Sequence, residues 1–399
     1  MPYPTPFHER TLPLCESLSY RDWSGYYAPS SYEPLHEHEY SAIRHAAALV
    51  DISPLFKYVV SGPDAERVVD RVITRNARKL KVGQVVYTPW CDERGRTLDD
   101  GTVSRLADDR FRWTAAEPNL RWISRQASGL RAQIDDVSEQ VAALAVQGPT
   151  SAALLRAVAE ADVDGLRYFR VTSGAVRGRR VDISRTGYTG DLGYELWIAR
   201  EDALVVWDAL AQAGPAFGLR PAGLLALDVA RIEAGLLLID VDFVSARKAM
   251  TPSQLYTPLE MGLDRLVDLS APGFIGHDAL AAEAARGPAR RIVGIEVAWD
   301  DVERLYDAVG LPPAASPVAS RLAVPVYAGA RQCGRMTSST WSPVLKKMIG
   351  LATVDAEFAA AGSALQVEHT VDAVRHRVGA RVVSTPFFNP KRKTRTPPA

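Results

Sequence analysis

The chain has 399 residues, 47% of them hydrophobic and 24% charged, and its 47 Lys and Arg balance its 47 Asp and Glu. This composition is typical of a soluble globular protein long enough for two or three domains, and the balanced charge argues against a nucleic-acid or anionic-membrane partner. Cys15, Cys91 and Cys333 form no disulfide framework, so we expect a reducing, cytoplasmic location. The N-terminus lacks the apolar core of a secretory signal, and charges interrupt the most apolar stretch, residues 222–244, so no membrane span is expected.

The first 30 residues are rich in Pro, Tyr and Ser and predict an irregular arm. Apolar residues at three-to-four spacing predict a helix over 37–49. A strand is predicted over 56–60, and Asp64 is a candidate N-cap of the next helix. Further strands are predicted over 85–87, 102–106, 111–114, 142–146, 181–184 and 195–198, and helices from 150, over 203–213 and over 224–234. Because many strands lie at hairpin spacing, the sequence predicts an α+β fold with antiparallel sheets.

The last third of the chain is predicted to be mostly β. A loop rich in Pro and Ala at 310–317 is followed by short strand-like segments over 324–327, 334–337, 348–354 and 365–367. The basic residues at the end, Lys391, Arg392, Lys393 and Arg395, predict a solvated flexible tail.

The most distinctive segment spans residues 185–198, in which glycines recur at every third position before a strand. Glycine at this density lets a backbone turn or approach a ligand closely. In the strand, Glu195 and Trp197 share the face opposite Tyr194, Leu196 and Ile198. A carboxylate beside an aromatic ring suits a flat heterocycle with adjacent N–H donors, although a solvent-facing glutamate on a half-buried strand would leave the same pattern.

Asp99 and Asp100 are adjacent acids on a predicted strand, so only one of them can enter a given pocket. Gly101 could add a bulge that re-aims one carboxylate. Such a group can assist proton transfer or stabilise a developing cation. The alternative is that the pair belongs to a polar hairpin turn.

Arg231 and Asp228 lie three residues apart near the end of a predicted helix and can pair on its exposed side. The alternatives are a simple surface pair and an arginine that holds an anionic part of a ligand. The alternation of His and Glu at 36–39 does not place ligands on one helix face, so no metal is expected. Dinucleotide, P-loop and serine-nucleophile motifs are absent from the sequence.

Taken together, the chain resembles the folate-dependent aminomethyltransferases, the family of the glycine cleavage T-protein and related tetrahydrofolate-dependent demethylases. The resemblance covers roughly residues 32–390. It rests on ten segments that occur in the family's order along one chain. They lie at 50–55, 60–64, 98–100, 146–149, 185–198, 231–235, 257–260, 274–276, 337–338 and 341–343.

The resemblance implies a three-domain, ring-like α+β architecture with tetrahydrofolate in a central channel. It implies one folate-binding domain from residues 1–50 and 140–245, a second from 51–139 and 246–288, and a barrel-like domain over 289–399. By analogy, Glu195 would bind the pteridine N–H groups, and either Asp99 or Asp100 would lie near N5 of the folate. The other residues implied at the cofactor are Tyr87, Tyr188, Trp197 and Arg231.

Three departures from the T-protein pattern resemble the demethylase branch of the family. The sequence reads Thr114-Ala115-Ala116 where T-proteins usually carry an amide that contacts folate. Leu227 replaces an arginine, and the aromatic N-terminal arm is longer. A demethylase transfers a methyl group from an O-, N- or S-methyl substrate to tetrahydrofolate.

The donor is therefore left open at this point. A small methylated or aminomethyl molecule is favoured, in a pocket near N5 lined by Tyr87, Trp90 and N-terminal aromatic residues. A lipoyl carrier protein is the less favoured donor. A folate-binding relative without transfer chemistry is the third possibility, which the retained acids oppose and the missing amide at Ala115 supports.

Overall fold

The computed structural model describes residues 1–271 and 273–395. No helix within these ranges is long and apolar enough to cross a bilayer. The α-helices of this part of the chain are α1 His8–Thr11, α2 Glu37–His45, α3 Ala65–Val72, α4 Leu120–Gln126, α5 Ser151–Val158, α6 Ala203–Ala213, α7 Leu224–Glu233, α8 His277–Arg286 and α9 Trp299–Ala308.

The strands of the described residues form four sheets. In chain order they are β1 Tyr20–Trp23, β2 Tyr26–Pro29, β3 Ala47–Asp51, β4 Phe56–Ser61, β5 Val85–Cys91, β6 Thr97–Ala107, β7 Arg110–Ala115, β8 Gln133–Asp136, β9 Val141–Gln147, β10 Ala159–Glu160, β11 Val171–Val176, β12 Arg179–Ser184, β13 Gly193–Ala199, β14 Leu219–Pro221, β15 Arg290–Val297, β16 Val324–Ala328, β17 Arg331–Ser342, β18 Lys347–Asp355, β19 Ala364–Val371 and β20 Val374–Val383.

The arrangement of these strands confirms the predicted α+β class and the barrel. Strands β1 and β2 form a hairpin, β10-β11-β12-β13-β9-β3-β14 form a seven-stranded sheet, and β5-β6-β7-β4-β8 form a five-stranded sheet. Strands β15-β18-β17-β16-β19-β20 close into a barrel. The pairing is antiparallel throughout the two large sheets except where β14 joins β3. The domain boundaries inferred from the sequence stay a prediction.

Side-chain alternation on β13 divides the core of the seven-stranded sheet as expected. Tyr194, Leu196 and Ile198 pack with residues of α5 and α6 in one apolar cluster. Trp197 belongs to a second cluster on the opposite face, with residues of α2 and α7. Full burial of a side chain such as Leu196 contributes about 1.5–3 kcal/mol to stability.

The five-stranded sheet buries one face beneath α3 and α4. That face carries Trp90, Val103 and Trp113, which pack with Val68 and Ile123 of these helices. The other face, which α3 and α4 do not cover, is turned toward the seven-stranded sheet. The sheets meet there, because Arg112 on β7 donates a hydrogen bond to Asp182 on β12 at 2.9 Å.

Two local expectations were wrong, and two strands were missed. The helix predicted over 37–49 ends at His45, because the fully buried run Ala47–Asp51 joins the sheet between β9 and β14. Asp64 is the N-cap residue of α3, as predicted, although its carboxylate accepts from Arg131 and Arg67 and makes no capping hydrogen bond. Gly101 forms no bulge, since Gly101 and the residues after it pair with β7 without a shift in register as far as Arg105. Strands β15 and β20 of the barrel were missed altogether.

The basic tail is docked rather than solvated, within the described residues. Arg392 donates two hydrogen bonds to the buried carboxylate of Asp191, at 2.6 and 2.8 Å. The Arg185 guanidinium in turn donates to the backbone carbonyls of Arg392 and Lys393. The prediction failed because the partners of the tail lie about 200 residues earlier in the chain.

Candidate active site

The open face of the five-stranded sheet carries the polar residues of the candidate site. The register pairs Tyr87 with Thr102, and Thr102 with Thr114, so these side chains share one face with Asp100. The hydroxyls of Thr102 and Thr114 lie 2.6 Å apart. Ala115 points to the opposite, core face and is only 1% exposed. An amide at this position would therefore lie in the core, not on the open face.

Asp100 is held on this face by Tyr87, whose hydroxyl donates to Oδ2 at 2.5 Å. Burial raises the pKa of Asp100 to about 6, while the hydrogen bond from Tyr87 opposes the shift. Burial also raises the pKa of Tyr87, as does the neighbouring Asp100 charge. The structure thus provides a partly buried carboxyl that changes protonation state near neutrality, in the range useful for acid–base or electrostatic assistance.

Asp99 points the other way and is fully buried. Its Oδ1 accepts from the backbone N–H of Asp100 at 2.8 Å, and Oδ2 accepts from the N–H of Glu117 and from Asn119 Nδ2 at 3.0 and 2.8 Å. Burial and the Asp100 charge raise the pKa of Asp99, and the three N–H donors oppose them. Every contact of Asp99 is internal, so it fixes the turn after β7.

Trp90 does not line a pocket either, contrary to the expectation from the sequence. Its indole is fully buried on the core face, packs edge-on to Trp113 at 5.1 Å between ring centroids, and donates to Asn119 Oδ1 at 3.0 Å. Asp99 and Trp90 therefore hold the two ends of the Asn119 amide, behind the face that carries Asp100.

Glu195 lies on the seven-stranded sheet and keeps one carboxylate oxygen available. Thr186 donates from its hydroxyl to Oε2 at 2.6 Å, and Ser184 lies 2.8 Å from the same hydroxyl. The Ser184 hydroxyl also interacts with this carboxyl and lowers its pKa, but no described residue donates to Oε1 within 3.5 Å. Burial raises the pKa of Glu195, while the Thr186 hydroxyl and the charge of Arg112 lower it. The available Oε1 is a ready acceptor for a ligand.

Trp197 packs beside Glu195 and holds two of its neighbours, Ser184 and Arg112. It is 6% exposed, and its indole donates to Ser184 Oγ at 3.0 Å. The guanidinium of Arg112 lies over its ring at 4.6 Å from the centroid. Arg112 thus covers one side of the indole, and the contact of Trp197 with a cofactor stays a prediction.

Arg112 is the residue of this region that the sequence analysis missed. It stands between the core residues Phe111 and Trp113, so strict alternation places it on the open face of the sheet. The sequence therefore contained a signal for Arg112, because a charged residue in the middle of an apolar strand is normally buried only when it is paired. The structure supplies Asp182 and the Trp197 ring, but leaves Nε and Nη2 buried without a partner among the described residues.

The glycines of segment 185–198 make room for a side chain of the protein itself. A Cβ on Gly187 or Gly193 would lie 2.1 or 2.2 Å from Oε1 of Gln147. The Gln147 amide donates to the carbonyls of Thr186 and Tyr194, both at 3.2 Å. The glycine pattern thus serves close packing around Gln147, which holds Glu195 and its neighbours in place.

Tyr188 lies near Asp100, the acidic residue of the five-stranded sheet. The hydroxyl of Tyr188 donates to the carbonyl of Leu237. Burial raises the pKa of Tyr188, the nearby Arg231 lowers it, and the charge of Asp100 raises it again, which places these groups within electrostatic reach.

Arg231 was expected on an exposed face, and this was wrong. It is fully buried, with Nη1 donating to Asp242 at 2.6 Å, Nη2 to Ser338 Oγ at 2.8 Å and Nε to Asp228 at 3.4 Å. Burial alone would lower the pKa of Arg231, but Asp242, Tyr188 and Asp228 together raise it. Arg231 therefore links α7 to the barrel strand β17, behind the residues that face the open region.

Two cavities, of about 380 and 300 Å³, lie elsewhere, between the barrel, α9 and α2. They share Ala315, Ser316 and Trp341, and none of the acids, tyrosines or arginines described above lines them. We therefore place the candidate site by its polar side chains, Asp100, Tyr87, Glu195 and Arg112, and not by these two cavities.

Comparison with known proteins agrees with this architecture. Residues 18–271 match the family described as "GCVT N-terminal domain", and residues 307–389 match the "Glycine cleavage T-protein C-terminal barrel domain". An aminomethyltransferase of Halothermothrix orenii is 33% identical over 372 residues, covering 92% of this chain and 95% of the relative. The aminomethyltransferase of Bacillus subtilis is also 33% identical, over 92% of this chain and 94% of its own.

A third relative is a trimethylamine-oxide aldolase of Ruegeria pomeroyi, 35% identical over 407 residues. This match covers 98% of the present chain but 47% of the longer relative. Among solved structures, the aminomethyltransferase T of the Bartonella henselae glycine cleavage system superposes with a TM-score of 0.82, covering 98% of this chain and 99% of that one. At 23% identity that likeness is one of fold.

Proposed function

This chain belongs to the glycine cleavage T-protein family of aminomethyltransferases, and we propose that it transfers a methyl or aminomethyl carbon from a small substrate to N5 of tetrahydrofolate. The observation that carries the proposal is the pairing of two polar sheet faces. One carries Asp100 with Tyr87, and the other carries Glu195 with an uncommitted carboxylate oxygen.

The residues present fit a reduced folate. A pteridine ring carries adjacent N–H groups, and these can donate hydrogen bonds to the available Oε1 of Glu195. Arg112 offers unpaired N–H donors near Glu195, and Tyr188 adds an aromatic ring near Asp100. These side chains, together with Tyr87, are the ones we assign to cofactor binding. Trp197 and Arg231 support them from behind.

Tetrahydrofolate supplies the amine nitrogen that accepts the one-carbon unit. In this proposal Asp100 faces the transfer and Asp99 holds the turn. A carboxylate held by the Tyr87 hydroxyl stabilises positive charge that develops during transfer, and its pKa of about 6 keeps it ionised at neutral pH. The contribution of Asp100 is thus orientation and electrostatic stabilisation, with no covalent bond to the protein.

The N-terminal arm favours a small-molecule donor. Its hairpin, β1–β2, packs on the body of the protein, and Ser24 at the turn donates to the Ala116 carbonyl at 3.5 Å, next to the end of β7. The relative named as an aldolase of trimethylamine oxide, at 35% identity, matches 98% of the chain, including this arm. We therefore place a methylated amine or a related small molecule ahead of a lipoyl carrier protein, in the cytoplasm.

The experiment has a binding stage and a turnover stage. Melting curves with and without tetrahydrofolate, under reducing and oxygen-free conditions, should show stabilisation by about 2.7 kcal/mol at 100 times the dissociation constant. Mass spectrometry should then detect methyl- or methylene-tetrahydrofolate with one member of a panel of methylated amines, and less with a lipoyl-carrier aminomethyl donor. Absence of any melting shift at saturating tetrahydrofolate would overturn the transferase assignment, and binding without product from any donor would favour a non-catalytic relative.

A further inference from the structure

Arg112 carries more hydrogen-bonding capacity than the protein uses. It is 5% exposed, and of its three guanidinium nitrogens only Nη1 has a partner among the described residues, Asp182. Nε and Nη2 are buried with none. Because a buried charged donor without an acceptor is costly, such a group in a native site calls for a missing partner.

The surroundings define the chemistry of that missing partner. The guanidinium is held flat over the Trp197 ring and pinned at one end by Asp182, so its remaining N–H groups point in set directions. Arg112 and Glu195 influence each other electrostatically without forming an ion pair in the described structure. A fixed donor thus lies near a fixed acceptor, and both have unused capacity.

We infer that Arg112 and Glu195 together recognise a heterocycle edge on which a carbonyl oxygen stands next to N–H donors. This rests on the proposed function and specifies its ligand. In a 2-amino-4-oxo pteridine, the N–H groups would meet Glu195 and the 4-oxo oxygen would accept from Arg112. Arg112 is accordingly a specificity-determining residue that rejects a ligand with an amino group at that position.

The test uses folate and 4-amino-4-deoxyfolate, in which an amino group replaces the 4-oxo oxygen and N3 no longer carries a hydrogen. Their dissociation constants are measured by calorimetry at pH 8 for the full-length protein and for Arg112→Met, which keeps the length of the side chain and removes the donors. The native protein should prefer folate by about 10- to 100-fold, the range of a charge-assisted hydrogen bond. In Arg112→Met that preference should shrink, because folate loses the acceptor contact of its 4-oxo oxygen and the 4-amino group no longer meets the donors of Arg112, while the part due to N3–H and Glu195 remains.

The matched control is Arg110→Met, on the same strand but exposed to solvent, which should keep the preference. If Arg112→Met does not fold, Arg112→Lys provides the second variant and should retain a reduced preference, since it offers a point charge without the guanidinium fork. Equal binding of both ligands by the native protein, or equal loss of both in the variant, would overturn the inference while leaving folate binding intact. If neither ligand nor tetrahydrofolate binds, the proposed function itself fails.

Discussion

Replacing Asp100 by asparagine should stabilise the protein while removing its activity. Burial raises the pKa of this carboxyl from 3.8 to about 6, so the ionised form is disfavoured in the folded state. Between these two values the folded state binds more protons than the unfolded state, and the free energy of unfolding falls as the pH rises. Above pH 6 the full penalty is present, and a shift of about 2 units corresponds to about 3 kcal/mol.

Because the side chain of Asp100 keeps some contact with solvent, we expect a gain of roughly 1–3 kcal/mol for Asp100→Asn at pH 8. Asparagine can still accept the hydrogen bond from Tyr87, so little packing is lost. The gain should shrink by about half at pH 5 and vanish below pH 4. Urea unfolding at several pH values, followed by fluorescence, measures it directly.

Asp99→Asn is the matched comparison: burial also raises the pKa of Asp99, so removing the charge should help, but the loss of a buried hydrogen bond should offset that gain. Both oxygens of Asp99 accept from N–H groups, so an amide nitrogen there must face a donor. Leaving a buried donor unpaired costs about 1–3 kcal/mol. Turnover should fall mainly in Asp100→Asn, with little change in folate affinity. A gain for Asp100→Asn that does not change with pH, or destabilisation by both substitutions, would refute the reasoning.

Three further outcomes follow from contacts described above. Glu195→Gln should weaken tetrahydrofolate binding by about 1.5–3 kcal/mol in calorimetry, because an N–H group would meet the donors of the ligand; unchanged affinity would remove Glu195 from the site. Arg231→Met should destabilise the protein by about 3–5 kcal/mol in urea unfolding, because Asp242 is left buried and uncompensated, and a neutral effect would show that the pair contributes nothing net. Arg392→Ala should cost about 1.5–3 kcal/mol through Asp191, and a melting temperature equal to that of the native chain would contradict docking of the tail.

The sequence predicted well those features that depend on neighbours along one strand. Alternation correctly separated Glu195 and Trp197 from the core residues of β13, and set Asp99 and Asp100 on opposite faces. Which acid faces the open region could not be predicted, because the answer depends on the face that α3 and α4 cover.

The failures share a physical cause, namely partners far away in sequence. Arg231 was expected at the surface because Asp228, three residues away, was its only visible partner. Its buried network is completed by Asp242, 11 residues further along the chain, and by Ser338 of the barrel, 107 residues away. In the same way, the role of Arg112 depends on Asp182 and Trp197 in the other sheet.

The attachment of Arg392 to Asp191 bears on how the protein matures during synthesis. The carboxylate of Asp191 is fully buried, and its two cationic partners are Arg44 and Arg392. Arg392 is made 201 residues after Asp191, so the ribosome must complete the barrel before this charge is fully compensated. The seven-stranded sheet therefore reaches its final stability only when the barrel strands have been released. A nascent chain arrested before that point should be open to proteolysis around Asp191.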